Sequence, residues 1–300
     1  MKIAAVVVTF NRKKLLKENI ECLLNQTVKS VLDIIIIDNH STDGTKDEIK
    51  TYILKNEVIY QDTGSNLGGA GGFQFGIKYA VEHGYDYIWV MDDDCMPMKN
   101  TLEEFLSMDK KLNGKYGFLS SQVLWRDQSI CVMNKQRKNM AQNVSDFNSE
   151  IVSVVMASFV SLFIRTSVVY ELGFPIKEFF IWTDDWEYTR RISLKYPCYL
   201  CNKSVVIHKS KSNIGANIAN DSVDRLDRYR YLYRNDVYLY RREGLYGFVY
   251  EFLRLNFHML RVLFEAKDNK FKRLLFMLKG TINGLTFNPQ IEFPSRSKKR

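Results

Sequence analysis

The chain has 300 residues, 46% hydrophobic and 26% charged, with a formal net charge of +9. That is a globular composition on a length suited to one large domain or two modest ones, and it excludes a disordered tail, a collagen-like fibre and a polytopic membrane protein. Five cysteines, an odd number at irregular spacing, exclude a secreted disulfide scaffold and point to a reducing compartment.

The opening run at 3–9 (IAAVVVT) is too short for a signal peptide and leads into Asn-Arg-Lys-Lys, so it reads as the first strand of a cytoplasmic protein. A second β-branched run, 33–38, follows a helix over 12–27 whose Leu15, Leu16, Ile20, Leu23 and Leu24 form one apolar stripe. Strand, helix, strand in this space is a βαβ unit, hence a parallel pair. The pattern repeats with a helix at 43–55, a strand near 57–61, a glycine-rich turn, a helix at 70–83 and a strand at 85–91. A helix at 99–112 and a strand at 117–124 come next. The polar stretch 126–150 reads as a mobile loop, and the Ser-interleaved run 151–164 as one strand into the core and another out. Helices over 166–172, 184–195 and 223–243, with a short strand at 203–208, complete the pattern. The expected fold is an open, mostly parallel α/β sheet over roughly 1–210, followed by a helical basic region. Apart from a basic tail, Arg296–Arg300, the sequence holds no low-complexity tract and no internal repeat.

In such sheets ligands sit beyond the carboxyl ends of the strands. Thr9 and Asn11 follow the first strand, and Asp38 ends the second. Asp92, Asp93 and Asp94 follow the fourth, where three adjacent carboxylates are costly without a cation. On an extended backbone Asp92 and Asp94 point one way and Asp93 the other, which offers two hard oxygen ligands to Mg²⁺ or Mn²⁺. A solvated acidic turn capping helix 99–112 is the alternative. The stretch NLGGAGGF at 66–73 opens a helix, so its amides suit phosphate or ribose oxygens, with a plain tight turn as the alternative. It matches neither GxGxxG nor the P-loop. In WTDDWEY, at 182–188, Asp184 is explained by the helix dipole alone. Two carboxylates flanked by Trp182 and Trp186 also suit proton transfer, because apolar walls raise a carboxylate's pKa. His208 ends the last strand at the same rim, although a lone histidine is commonly structural. Cys198 and Cys201 form a lone CxxC that reads as buried hydrophobes.

Taken in order, VVVTFNR, IIDNHSTDGT, NLGGAGGF, WVMDDD, WTDDWEY and VIHK resemble a family 2 glycosyltransferase of GT-A fold, a Rossmann-like sheet flanked by helices. The likeness is greatest to bacterial galactofuranosyltransferases and related rhamnosyltransferases. It covers about residues 1–242, including RYLYRNDVYLYRR at 230–242. The resemblance implies that Thr9, Asn11 and Asp38 contact the nucleotide, and that Asn66 with Gly68, Gly69, Gly71 and Gly72 lines the donor pocket, with Asp93 in the same donor set. It implies that Asp92, Asp94 and His208 hold Mn²⁺ or Mg²⁺. Asp185 matches the general base, and Asp184 and Glu187 would orient the acceptor. One departure is that the galactofuranosyltransferases carry Trp directly before the acid pair, whereas here Thr183 intervenes. The implied activity is inverting transfer of galactofuranose from UDP-galactofuranose, or of rhamnose from dTDP-rhamnose, to a glycan or lipid-linked acceptor in cell-surface polysaccharide assembly. A nucleotidyltransferase and a non-catalytic sugar-binding assembly protein are the readings from other classes.

Residues 201–300 carry 20 basic and 9 acidic side chains, so the positive charge belongs to the C-terminal third. Within 245–265, Glu251, Arg254, His258, Arg261 and Glu265 share one stripe of an otherwise apolar helix, and 270–285 sets Lys270, Lys272, Arg273 and Lys279 around LLFML. Basic amphipathic helices suit an anionic membrane surface, which places the protein at the inner face of the cell membrane; packing on the catalytic part or on a second subunit is the alternative. No nucleic-acid-binding motif is present. The expected division is a nucleotide-sugar-binding catalytic domain at 1–222 and a helical basic region at 223–300.

Overall fold

A computed structural model describes residues 1–295, so the basic tail Arg296–Arg300 lies outside the described residues. In chain order the elements are β1 (Ile3–Thr9), α1 (Lys13–Leu24), β2 (Leu32–Asp38), α2 (Thr45–Glu48), α3 (Lys50–Leu54), β3 (Ile59–Asp62), α4 (Gly68–Glu82), β4 (Tyr87–Asp92) and β5 (Cys95–Pro97). Then come α5 (Thr101–Lys111), β6 (Phe118–Trp125), β7 (Ile151–Ser153), β8 (Leu162–Arg165), α6 (Thr166–Leu172), α7 (Asp184–Ser193) and β9 (Tyr199–His208). Three helices close the chain: α8 (Tyr229–Arg241), α9 (Gly244–Glu265) and α10 (Lys270–Thr286).

One sheet runs β3-β2-β1-β4-β8-β6-β9-β5, with β7 pairing β9. Its first four strands are parallel, as the βαβ pattern requires. Beyond β4 the sheet is mixed, because β8 is antiparallel to both β4 and β6, and β9 is antiparallel to β5 and β7. The parallel half is as expected; in the mixed half β6 and β9 are still parallel to each other, and the reversed strands are β8, β5 and β7. Alternate residues of β1 feed opposite cores. Ala4, Val6 and Val8 join Ile35, Ile37, Phe73 and Ile77 on one face. Ile3, Ala5 and Val7 join Leu16, Ile20, Ile34 and Ile36 on the other. Each buried Val, Leu, Ile or Phe here contributes roughly 1.5–3 kcal/mol by leaving water, which is why these runs are uninterrupted by polar residues.

Three local expectations change. The helix expected over 43–55 is two short helices meeting at Ile49. The glycine-rich stretch is the first turn of α4 itself. Residues 126–150 have little regular structure yet are pinned: Cys131, Asn134, Gln136, Met140 and Val144 are buried, and the Gln136 amide donates to the Ser121 carbonyl at 2.7 Å.

The C-terminal helices are arranged opposite to the usual amphipathic sense. α8 packs on α9 and α10, and Gly280 and Gly284 let α10 approach the backbone of α8 at Arg230 and Arg234. On α9 the polar stripe faces inward. Arg254 pairs with the buried Asp236 of α8 and donates to Glu251 at 2.9 Å, and His258 hydrogen-bonds the Tyr233 hydroxyl at 3.1 Å. Arg254 is therefore not a lipid-facing cation, and Arg261 is likewise engaged within the chain, by Glu265. No helix among the described residues is long and apolar enough to cross a membrane.

Candidate active site

The site forms where strand ends align. In register Thr9 lies beside Asp38, Val8 beside Asp92, and Cys95 beside His208. Parallel pairing thus brings the ends of β1, β2 and β4 to one rim, and the short return strand β5 carries the aspartates to the end of β9. Asp93 and Asp94 lie in a turn, not on extended backbone, but they divide much as alternation requires. Asp93 accepts from Thr9 Oγ1 at 2.7 Å and from Arg12 at 3.2 Å. Asp94 accepts from Arg12 at 2.6 Å and meets His208 Nε2 at 3.0 Å. Ligand atoms of Asp92, Asp94 and His208 all lie within 4.8 Å of one another. His208 Nδ1 is held by Asn134 Oδ1 at 2.8 Å, which aims Nε2 at the carboxylates.

Electrostatics follow from burial and crowding. Burial and the Asp94 charge push Asp92 upward. Burial, only partly offset by Arg12, pushes Asp93 up to about 7. Burial acts on Asp94 in the same sense, yet His208 and Arg12 hold it below the usual carboxylate range. Burial opposes a charged imidazole, but hydrogen bonds to Asp94 and Cys131 and the nearby carboxylates raise His208 to about 10.

The nucleotide side of the rim is preorganised by hydrogen bonds. Asp38 accepts the Ser41 amide and the Tyr60 hydroxyl, each at 2.8 Å. Asn11, at φ +53°, accepts the Thr42 amide at 2.7 Å and so ties the loop after β1 to the loop after β2. Asn66 is exposed and accepts the Gly68 amide at 2.9 Å. The four glycines divide in function. A Cβ on Gly68, at φ +73°, would lie 2.1 Å from the Phe180 carbonyl oxygen, and one on Gly72 would lie 2.6 Å from Val8. Gly71 is buried against Leu67, and Gly69 alone of the four opens onto free space. Three of these glycines therefore serve close packing, a need that a motif reading does not separate from ligand approach.

The acid pair opens α7 after an unusual turn: Phe180, Trp182 and Thr183 all have positive φ, 64°, 66° and 67°. Such residues cost on the order of 1–3 kcal/mol each and persist only when their surroundings fix them. Here Asn235 of α8 fixes them, its amide nitrogen lying 3.0, 3.1 and 2.9 Å from the carbonyls of Phe179, Ile181 and Trp182. The Thr183 hydroxyl donates to Asp236 at 2.7 Å. Burial raises the pKa of both Asp184 and Asp185; the charges of Asp92 and Glu187 push Asp184 further, and those of Asp184 and Asp92 push Asp185. Glu187 differs: both its oxygens accept from Arg191, at 3.0 and 2.8 Å, so its carboxylate is committed to an internal ion pair. Trp182 packs on Tyr229, and Arg137 stacks 3.9 Å from the Trp186 ring. Arg12, Asn134, Asn235 and Asp236 belong to this site but were not singled out from sequence, because their partners lie 53 to 82 residues away. Arg12 lies within VVVTFNR and Arg234, Asn235 and Asp236 within RYLYRNDVYLYRR, segments that carry the family resemblance, and that is the available signal.

A curled α/β sheet with acidic strand ends of this kind is the architecture of GT-A glycosyltransferases. The solved structures this chain is similar to include Staphylococcus aureus TarS in complex with UDP-GlcNAc, at TM-score 0.56 and 15% identity, covering 93% of this chain and 72% of that one. Another is GalNAc-T7 with UDP, GalNAc and Mn²⁺, at TM-score 0.58 and 14% identity over 80% of this chain and 50% of that one. This chain matches, over residues 4–116, the model for glycosyl transferase family 2. It is 25% identical to galactofuranosyltransferase GlfT1 of Mycolicibacterium smegmatis over 281 residues, 86% of this chain and 89% of that protein.

Proposed function

We propose that this hexosyltransferase moves galactofuranose from UDP-galactofuranose, with inversion, to a glycan or lipid-linked acceptor in the assembly of a bacterial surface polysaccharide. Residues 1–222 would bind donor and perform transfer, with 223–300 as a helical basic region at the inner face of the membrane. The observation that carries the reading is the cluster of Asp92, Asp94 and His208 at the strand ends, with the Asp92 charge also felt by the buried acids Asp184 and Asp185 that open α7. Two carboxylate oxygens and an imidazole nitrogen at this spacing fit Mn²⁺ or Mg²⁺. When bound there, the ion supplies positive charge against which a nucleoside diphosphate can depart.

The protein's own groups do the rest. Thr9, Asn11, Asp38, Asn66 and the Gly68–Gly72 turn would hold the nucleotide sugar. An acceptor hydroxyl is a weak nucleophile, and Asp185 would take its proton as it attacks the anomeric carbon. The buried Asp184 raises the proton affinity of Asp185, which suits a base. Attack opposite the leaving group inverts the anomeric centre in one displacement.

Transfer of rhamnose from dTDP-rhamnose is the second reading. It is favoured by Thr183, buried and bonded to Asp236, at the position where a galactofuranosyltransferase would offer a tryptophan face. A binding screen over nucleotide sugars with Mn²⁺, followed by product analysis, tests both. Release of nucleoside diphosphate from UDP-galactofuranose supports the first, and release from dTDP-rhamnose only supports the second. Pyrophosphate release would mark a nucleotidyltransferase, and donor binding without turnover a sugar-binding assembly protein.

A further inference from the structure

We propose that the outward face of α9, extended by α10, is a docking surface for an anionic lipid bilayer, entered by its apolar side chains and not by the arginines of its polar stripe. Between Leu245 and Phe264 the exposed side chains of α9 are all Leu, Phe or Val apart from Tyr246, with Phe248, Phe252, Leu253, Phe257 and Leu260 along the middle. Leu245 and Phe264, at the two ends, are 79% and 83% exposed. The helix is about 33 Å long, so this is a continuous apolar ridge and not scattered residues. Two of its polar residues are spent on the protein interior, Arg254 on Asp236 and His258 on Tyr233. On α10, which packs against α9, Phe271, Leu275, Leu278, Ile282 and Leu285 are exposed as well.

Charge selects the occupant. The exposed lysines here are Lys267, Lys270, Lys272 and Lys279, while the exposed acids Glu265 and Asp268 are paired with Arg261 and Arg273. A second copy docking face to face would bring two sets of these lysines to one interface, with the neighbouring acids Glu265 and Asp268 already paired. A protein interface also ordinarily carries many matched polar groups, whereas the ridge offers only the Tyr246 hydroxyl and the Asn256 amide, and the latter is bonded to the Phe252 carbonyl. An apolar ridge beside uncompensated cations instead fits the boundary between acyl chains and anionic headgroups. The inference deepens the membrane-side reading above, and its test needs neither donor nor acceptor, so it stands apart from any assay of transfer.

The test is flotation of the full chain with vesicles of phosphatidylcholine, with and without phosphatidylglycerol, beside sedimentation velocity of the protein alone. The chain should float with phosphatidylglycerol vesicles and less with neutral ones. F252S/F257S should lower the bound fraction by at least about tenfold, since two exposed phenylalanines lose their place in the acyl region. K270Q/K272Q/K279Q should abolish the preference for anionic lipid while the protein stays folded by circular dichroism. Failure of the wild type to float, or equal flotation of F252S/F257S, overturns the proposal. So does a stable dimer that F252S/F257S dissociates, which would assign the ridge to a second copy.

Discussion

Thr183 donates its hydroxyl to Asp236 at 2.7 Å, and the same aspartate pairs with Arg254 of α9. The residue that begins the acid helix is thus anchored to a helix outside the sheet, one position along from the Asn235 amide that gathers three carbonyls of the left-handed turn. Asn235→Ala should therefore do two things. Leaving buried carbonyls unpartnered should cost about 1–3 kcal/mol in denaturant melts. Transfer rate should fall further than donor affinity, because the turn aims Asp185 and not the nucleotide. Unchanged kcat in a folded variant would show that the turn holds itself.

Asp185→Asn keeps shape and removes the base. Transfer should drop by roughly 10²–10⁴-fold while donor and Mn²⁺ affinities stay near those of the wild type. Calorimetric titration beside single-turnover transfer separates the two quantities. Lost donor binding in a folded protein would move Asp185 from the base to the donor pocket.

A cation at Asp92, Asp94 and His208 competes with a proton, since the imidazole is raised to about 10 beside Asp94. Mn²⁺ binding should release protons and weaken as pH falls. Titration in two buffers of different ionisation enthalpy reads the proton count. Asn134→Ala, which frees the ring to turn, should weaken Mn²⁺ about 10–100-fold. Proton-neutral binding, indifferent to Asn134, would place the ion elsewhere.

His258 offers a pH dependence remote from that cluster. Burial, together with Arg254 and Arg261, lowers its pKa from 6.5 to about 4, so the folded state holds it neutral against the Tyr233 hydroxyl. A depressed folded pKa gives stability that is complete above about 6.5 and lost as pH falls toward 4. The loss should be ~3 kcal/mol at most, read as a falling midpoint in urea melts between pH 7 and pH 4. His258→Gln should flatten that limb.

Much of the frame was legible because it rests on local pattern. The runs at 3–9 and 33–38 had to be strands buried on both faces, and Asp92–Asp94 after an apolar strand had to sit at a carboxyl rim. What escaped was settled by partners distant in the chain. Residues 126–150 look like free loop until Asn134 meets His208 and Gln136 meets Ser121. The stripe on α9 shows the same limit in reverse. Periodicity marks two faces of a helix but does not say which faces in, and Asp236 and Tyr233 turned the polar one toward the protein. Glu187 stood beside the acid pair in sequence, and only the position of Arg191 one helical turn on committed it elsewhere.

The segment between β6 and β7 acts as a common strap. It supplies Asn134 to the imidazole of His208 and Arg137 to the ring of Trp186, so one stretch of irregular chain steadies both halves of the chemistry. A single nick there would slacken cation capture and proton removal together, with every strand of the sheet left whole.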